Sequence, residues 1–143
     1  MLLMFLAGVI TGGYLFSNTI SRSFLAVHAC DDQCWRLKDL VGILGSAGIR
    51  HVPRLLPFFE VESQHCVAVR HPNSDDPYHI TYLPKRDVRN VLELTSQDVP
   101  YLLGCLALAR EHAAKAGIKS YRLVSNGPSR QHVTYFHFHV IGE

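Results

Sequence analysis

The chain has 143 residues, of which 48% are hydrophobic and 18% are charged, and its formal net charge is +2. This length fits one domain with a substantial core, and the small net charge excludes an argument for nucleic-acid binding from a strong positive field. Nine histidines are many for such a chain, and they favour acid–base, nucleophilic or metal chemistry over plain packing.

The amino-terminal end is apolar. Residues 1–16 carry no charged side chain, and Ile20 extends the stretch to about the 20 residues of a membrane-spanning helix. No basic residue precedes it, so the start of a standard signal peptide is missing, and Arg22 weakly favours a cytoplasmic domain. We expect residues 1–29 to be a leader and linker, either a membrane anchor through residues 1–20 or an export segment. A disordered apolar leader is the alternative.

Four cysteines leave the redox compartment open. Cys30 and Cys34 would share one face of a helix, which allows half of a zinc site or a disulfide in an exported protein. Cys66 and Cys105 lie in apolar runs, and we predict that both are buried as small hydrophobic residues.

A helix is predicted over residues 31–47, within an amino-terminal segment 30–48. Its apolar residues recur at helical spacing, and Gly45 or Gly48 can end it. Residues 49–57 contain two prolines and should form an extended connector.

Three strands are predicted next, over residues 58–62, 65–70 and 78–83. Residues 71–77 form a loop between the second and third, and Pro84 should stop the third strand. Two antiparallel strands joined by this loop are the simplest geometry.

Helices follow. Residues 87–94 predict a short helix, and residues 98–116 a long one, with His112 facing solvent. Residues 121–125 predict a strand and 126–130 a turn. This element order indicates an α+β fold with an antiparallel sheet.

Residues 131–142 alternate with the period of a strand. One predicted face carries Val133, Tyr135, His137 and His139, and the other carries Phe136, Phe138 and Val140. Two imidazoles on one face can do chemistry, although an isolated His-x-His is more often part of an ordinary wet strand face.

Two motifs together resemble the histidine triad (HIT) family, in particular its Hint-like nucleotide-binding branch. The first runs from Gln131 through Val133 to His137 and His139, which match the family's second and third triad histidines. The second begins at His79 and ends at Tyr82-Leu83-Pro84-Lys85. The resemblance covers about residues 52–142 and implies a five-stranded antiparallel sheet with one long and one short helix, here over residues 49–143.

The resemblance implies hydrolysis or transfer at a nucleotide's α-phosphate. His137 would attack phosphorus and form a covalent nucleotidyl-histidine that water then resolves. His139 would position the phosphate, Gln131 and Asn126 would contact the phosphate or the leaving group, and His79 would lie close by. The family is commonly homodimeric, which implies pairing through the long helix and an edge strand.

Three departures from the family pattern leave turnover open. Tyr135 replaces the first triad histidine, and its phenol can donate a hydrogen bond to a phosphate or an imidazole but cannot be a cation. Arg130 stands where a glycine is usual and adds a phosphate-seeking guanidinium. His71 occupies the place of the acid expected to hold the ribose, so Asp75 or Asp76 would have to substitute.

Three functions therefore remain. The first is a phosphoramidase-like nucleotide hydrolase or transferase that uses His137. The second, supported by Tyr135, is a catalytically weak module that binds nucleotides or phosphorylated ligands. The third is a metal-binding strand formed by His137 and His139 with His79. Since no nearby cysteine or acid completes a recognisable set, we assign no metal. We also expect no cofactor, and the small net charge gives no reason to expect a nucleic-acid partner.

Overall fold

The computed structural model of the chain describes residues 3–8, 45–72 and 74–142. Residues 3–8 and 45–51 are helical, and the long helix spans Val99–Lys115. The five strands are β1 Phe59–Glu62, β2 Cys66–Arg70, β3 Tyr78–Pro84, β4 Tyr121–Val124 and β5 Phe138–Gly142. Three short 3-10 turns occupy Pro53–Leu55, Val91–Glu93 and Ser96–Asp98.

The strands form one antiparallel sheet in the order β1-β2-β3-β5-β4, so β3 lies at its centre. In the pairing of β3 with β5, Ile80 lies opposite Val140 and Thr81 opposite His139. The predicted α+β class and the five-stranded antiparallel sheet are confirmed.

One face of the sheet packs against the long helix. Its strand residues share small exposed fractions and alternate with residues of the other face: Cys66, Ala68, Tyr78, Ile80, Tyr82, Phe138 and Val140. The helix contributes Leu108, Ala109 and Ala113 to the same core. We call this side the helix face.

Cys66 and Cys105 form a disulfide on the helix face, a bond that the prediction of two buried small hydrophobic residues did not include. Both are fully buried, as predicted, but β2 and the long helix bring their Cα atoms to 5.0 Å. That distance lies within the range that a disulfide can bridge. Among the described residues, no cysteine is left as a thiol.

Local sequence fixes both ends of the long helix. Asp98 and Thr95 form a reciprocal capping box before it, and Gly117 follows with a φ of 71°. Within the helix Gly104 allows a close approach, because a Cβ there would meet the Cβ of His65 at 2.7 Å. His112 is half-buried rather than solvent-facing, since its Nδ1 lies 3.2 Å from the Tyr82 hydroxyl.

Two local predictions were wrong. Residues 49–51 belong to the helix 45–51, where an extended connector was predicted, and the Val52 amide donates to the Gly48 carbonyl at 2.9 Å. Pro53 then begins a 3-10 turn, a position that needs no amide hydrogen. The predicted short helix 87–94 is only the 3-10 turn Val91–Glu93.

The predicted closing strand is also shorter than its alternation suggests. β5 begins at Phe138, and residues 131–137 have no strand partner. β3 pairs only from Tyr78 to Tyr82 with β5, because the chain before Phe138 turns toward the backbone at Val88, whose carbonyl accepts from the Phe136 amide.

Much of the predicted leader and amino-terminal helix, residues 9–44, lies outside the described residues, as do Cys30 and Cys34. Within the ranges that are described, no helix is long and apolar enough to cross a membrane.

Candidate active site

The side of the sheet opposite the long helix carries a histidine cluster, and we call it the histidine face. His79 and Thr81 on β3 point to this face together with His139 on β5, because alternate strand residues share a side. The His139 Nδ1 atom lies 3.1 Å from His79 Nε2 and 3.1 Å from the Thr81 hydroxyl. The predicted proximity of His79 to the closing strand is confirmed.

His137 lies just before β5 and is half-buried. Its Nδ1 is 2.7 Å from the Tyr135 carbonyl oxygen. A carbonyl can only accept, so Nδ1 carries the proton and the lone pair is on Nε2. Ser125 donates to the His137 carbonyl at 2.9 Å, which holds the backbone at this point. The ring centroids of His137 and His139 are 5.0 Å apart.

Burial keeps these imidazoles neutral. Desolvation lowers the pKa of His137, partly opposed by the bond to the Tyr135 carbonyl. Desolvation, followed by the neighbouring His137, His79 and His71, lowers the pKa of His139 to about 3. Both rings are therefore uncharged at physiological pH.

The proton position on His79 is set by a short chain of polar groups. Ser74 donates to an Asp76 carboxylate oxygen at 3.2 Å, so its hydroxyl oxygen accepts from His79 Nδ1 at 2.7 Å. This leaves the Nε2 lone pair of His79 directed at His139. Desolvation, with a contribution from His71, lowers the pKa of His79.

His71 completes the cluster. Its ring stacks on His79, with centroids 4.1 Å apart and planes 8° from parallel, and its centroid is 5.5 Å from that of His139. The Nδ1 atom of His71 is buried and has no hydrogen-bond partner among the described residues. The sequence singled out His71 only as a replacement for an acid.

Tyr135 does not lie where a phosphate-binding phenol would. Its side chain is 1% exposed, and its hydroxyl donates to the carbonyls of Pro84 and Arg86. The contact of this phenol with a phosphate or a neighbouring imidazole stays a prediction. The backbone carbonyl of Tyr135 accepts the hydrogen bond from His137 Nδ1.

The remaining predicted phosphate ligands lie on the segment between β4 and β5. Asn126 is half-buried, Arg130 is exposed, and Gln131 is buried with an Nε2 atom that lacks a partner among the described residues. The Gly127 carbonyl accepts from the amides of Arg130 and Gln131 at 2.9 and 3.1 Å. Their contact with a phosphate stays a prediction.

Sequence reasoning missed three hydroxyls that hold the histidines. Thr81 could have been found from the strand period, since it follows His79 by two residues and shares its face. Ser74 and Ser125 lie in irregular segments, so no periodic signal pointed to them.

A family model described as "Scavenger mRNA decapping enzyme C-term binding" matches residues 57–143. An uncharacterised HIT-like protein of Synechococcus elongatus is 32% identical over 103 residues, which cover 70% of this chain and 88% of that protein. The chain belongs to the HIT family. The residues matched by the family model include β1 to β5 and four histidines of the cluster: His71, His79, His137 and His139.

Solved HIT structures share the fold. A HIT family hydrolase from Clostridium thermocellum has a TM-score of 0.61 and 27% identity, over 70% of this chain and 89% of its own. A HIT family hydrolase from Legionella pneumophila, at 24% identity, also has a TM-score of 0.61, over 69% and 90% of the two chains. This HIT protein therefore shares its fold with proteins described as HIT family hydrolases.

Proposed function

We propose that this HIT protein hydrolyses or transfers nucleotide conjugates at the α-phosphate through a covalent intermediate on His137. The observation that carries the proposal is the hydrogen bond from His137 Nδ1 to the Tyr135 carbonyl. It fixes the tautomer in which Nε2 is the nucleophilic nitrogen. The name of the similar Clostridium thermocellum protein, a HIT family hydrolase, supports the same class of reaction.

The reaction takes two displacements. In the first, the Nε2 lone pair of His137 forms a bond to phosphorus, and the bond from phosphorus to the leaving group breaks with its electron pair. In the second, a water oxygen bonds to phosphorus, the nitrogen–phosphorus bond breaks, and the water proton is released. A neutral imidazole suits both steps, because it is nucleophilic near pH 7 and leaves readily from a phosphoramidate.

The charge that balances the phosphate would come from outside the histidine cluster. His137 and His139 are neutral at physiological pH, and Tyr135 supplies no cation. Arg130 is exposed beside the segment that leads to His137, so its guanidinium is the residue we expect to pair with phosphate oxygens. Asn126 and Gln131 would add neutral contacts.

The test is turnover of an adenosine phosphoramidate by the full chain and by His137→Ala. We expect the variant to lose at least about 1000-fold in kcat/KM, as for removal of other catalytic nucleophiles. Rapid acid-free quenching with a labelled nucleotide should trap one nucleotide per active site on the wild type and none on the variant.

His132→Ala is the matched control, since His132 is an exposed histidine of the same segment. It should retain wild-type turnover. Equal turnover by the wild type and His137→Ala would contradict the nucleophile assignment.

A second function, a catalytically weak module that binds nucleotides or phosphorylated ligands, is favoured by one observation. The Tyr135 hydroxyl is committed to backbone carbonyls and leaves the place of a triad histidine without a cation. Binding of a nucleoside monophosphate without any turnover would support this alternative over the enzyme.

We also propose a homodimer that pairs β4 edges. β4 bonds to β5 on one side only, and its Tyr121 and Leu123 are 53% and 52% exposed. The long helix exposes Leu103 and Leu106 as well. An exposed apolar edge strand favours pairing with a second copy. Light scattering at micromolar concentration should give twice the chain mass, and Leu123→Lys should give a monomer.

For localisation we propose export or membrane attachment through the leader, with the domain in an oxidising compartment rather than on the cytoplasmic side that Arg22 favours. The Cys66–Cys105 disulfide supports this placement, because disulfides are rare in reducing cytosol. A reporter fused after Ala29 should show whether the leader is cleaved and whether the chain stays with the membrane. A fully reduced Cys66 in protein alkylated in intact cells would contradict the oxidising compartment.

A further inference from the structure

The structure assigns His71, His79 and His139 as a three-histidine site for one divalent ion of the zinc class. One imidazole nitrogen from each ring lies within 4.8 Å of the other two. These residues come from the end of β2, from β3 and from β5, so three adjacent strands hold the site. The set includes His71 and leaves out His137, and therefore differs from the metal strand that the sequence suggested.

The spacing of two of the nitrogens already suits a metal. Zinc binds imidazole nitrogen at about 2.0–2.1 Å, so two nitrogens on a tetrahedral ion lie roughly 3.3–3.4 Å apart. His79 Nε2 and His139 Nδ1 are 3.1 Å apart. A small separation of the two rings would admit the ion. The Nδ1 proton of His139 would move to Nε2 of the same ring by exchange with solvent, so that each ligand stays a neutral imidazole.

His71 supplies a ring nitrogen that could bind the metal. Its Nδ1 is buried without a hydrogen-bond partner among the described residues, and a buried polar atom without a partner is costly. A metal bond would remove that cost. Since the His71 ring now stacks on His79, it must turn about its Cβ–Cγ bond to direct a nitrogen at the ion.

The groups around the cluster orient the ligands as metal sites require. Ser74 holds the proton of His79 on Nδ1, so Nε2 is available, and Asp76 adds a negative charge 3.8 Å from that Nδ1. A second hydrogen bond of this kind commonly fixes a metal-bound histidine. His71 and His79 are half-buried, so an ion can reach them from solvent.

Three histidine nitrogens leave one tetrahedral position open. Sites of this composition hold water or an anion in the fourth place, whereas structural zinc sites have four protein ligands. The ring of His137 lies beside that of His139, so the open position and the proposed nucleophile would face the same region.

The experiment titrates tag-free, chelator-stripped full-length protein with Zn²⁺ by calorimetry and with Co²⁺ by visible absorption. We expect one ion per chain on the three histidines, and at least about a 10-fold loss of affinity in His71→Ala, His79→Ala and His139→Ala. His51→Ala is the control, because His51 is exposed and outside the cluster, and it should bind like the wild type.

Two results would overturn the site. One is a wild type that binds no ion, and the other is an affinity unchanged by His71→Ala. If zinc were bound by Cys30 and Cys34 instead, its affinity would be unchanged in all three histidine variants, which would also overturn the site. If a variant fails to fold, imidazole nitrogen resonances of the wild type decide the question, since those of His71, His79 and His139 must shift on adding Zn²⁺.

The site and the proposed reaction are separable. His137→Ala should abolish turnover and still bind the ion, because it removes no ligand. Metal binding without turnover would leave the site standing and contradict the proposed function. Turnover without metal binding would support the proposed function and contradict the metal site.

Discussion

The two faces of the central strands differ in the contacts that their buried side chains make. On the helix face Ile80 and Val140 pair across β3 and β5 within an apolar core that the Cys66–Cys105 disulfide crosses. On the histidine face the next residues along the same strands, Thr81 and His139, meet through a polar contact of 3.1 Å. The helix face therefore carries the larger apolar core, whereas the histidine face combines a smaller core around Val67 and Tyr135 with reactive groups held in fixed positions.

The largest expected effect on the helix face comes from removing the disulfide with Cys66→Ala and Cys105→Ala. The two residues are 39 apart in sequence, and a bridge over that loop stabilises by about 4 kcal/mol in the chain-entropy treatment. Urea unfolding should show this loss. Turnover per folded molecule should not change. If the folded double variant lost most of its turnover, the two faces would not have separate roles.

Ile80→Ala should follow. Ile80 is fully buried in the helix-face core, and truncation of such a residue costs about 2–5 kcal/mol. The midpoint of urea unfolding should fall accordingly. His132→Ala provides the comparison, because an exposed side chain should change stability by less than about 0.5 kcal/mol.

The third largest effect is a loss of stability in acid, caused by His139 on the histidine face. His139 has a pKa of about 3 when folded, below the ordinary value of 6.5, so the unfolded chain takes up its proton first as the pH falls. The stabilisation is complete above pH 6.5 and decreases toward pH 3. Between pH 7 and pH 5 the free energy of unfolding should drop by about 2 kcal/mol from this residue. In His139→Gln the drop should be smaller by that amount, and an equal drop would contradict the assignment.

The smallest effect sharpens the role of Tyr135. Tyr135→Phe removes the hydroxyl that donates to the Pro84 carbonyl and should cost about 1–3 kcal/mol of stability. Because that hydroxyl is turned away from the nucleophile, kcat/KM should fall by less than about 10-fold. A loss of 100-fold or more at full folding would mean that the phenol contacts the phosphate after all.

Much of the histidine face could be read from the sequence, because strand alternation is local. The period of two placed Phe138 and Val140 on one side and His139 on the other, and the motif around His79 identified the neighbouring strand. The same rule placed Tyr135 on the side of His139, and there it packs with Val67 and Leu83, although its hydroxyl donates to the Pro84 carbonyl. Alternation therefore predicts the side of the sheet but not which groups a residue outside the paired strand contacts.

The sequence by itself determined the fold family, the order of the strands, and the two histidines, His79 and His139, whose side chains meet between β3 and β5. The tertiary structure alone decided which distant residues join them. His71 stacks on His79, and Cys66 bonds to Cys105, because the turn after β2 and the packing of the long helix bring together groups that no short-range pattern relates. Contacts of this kind depend on how separate helices and strands pack against one another, which is decided by the tertiary structure and not by any local stretch of sequence.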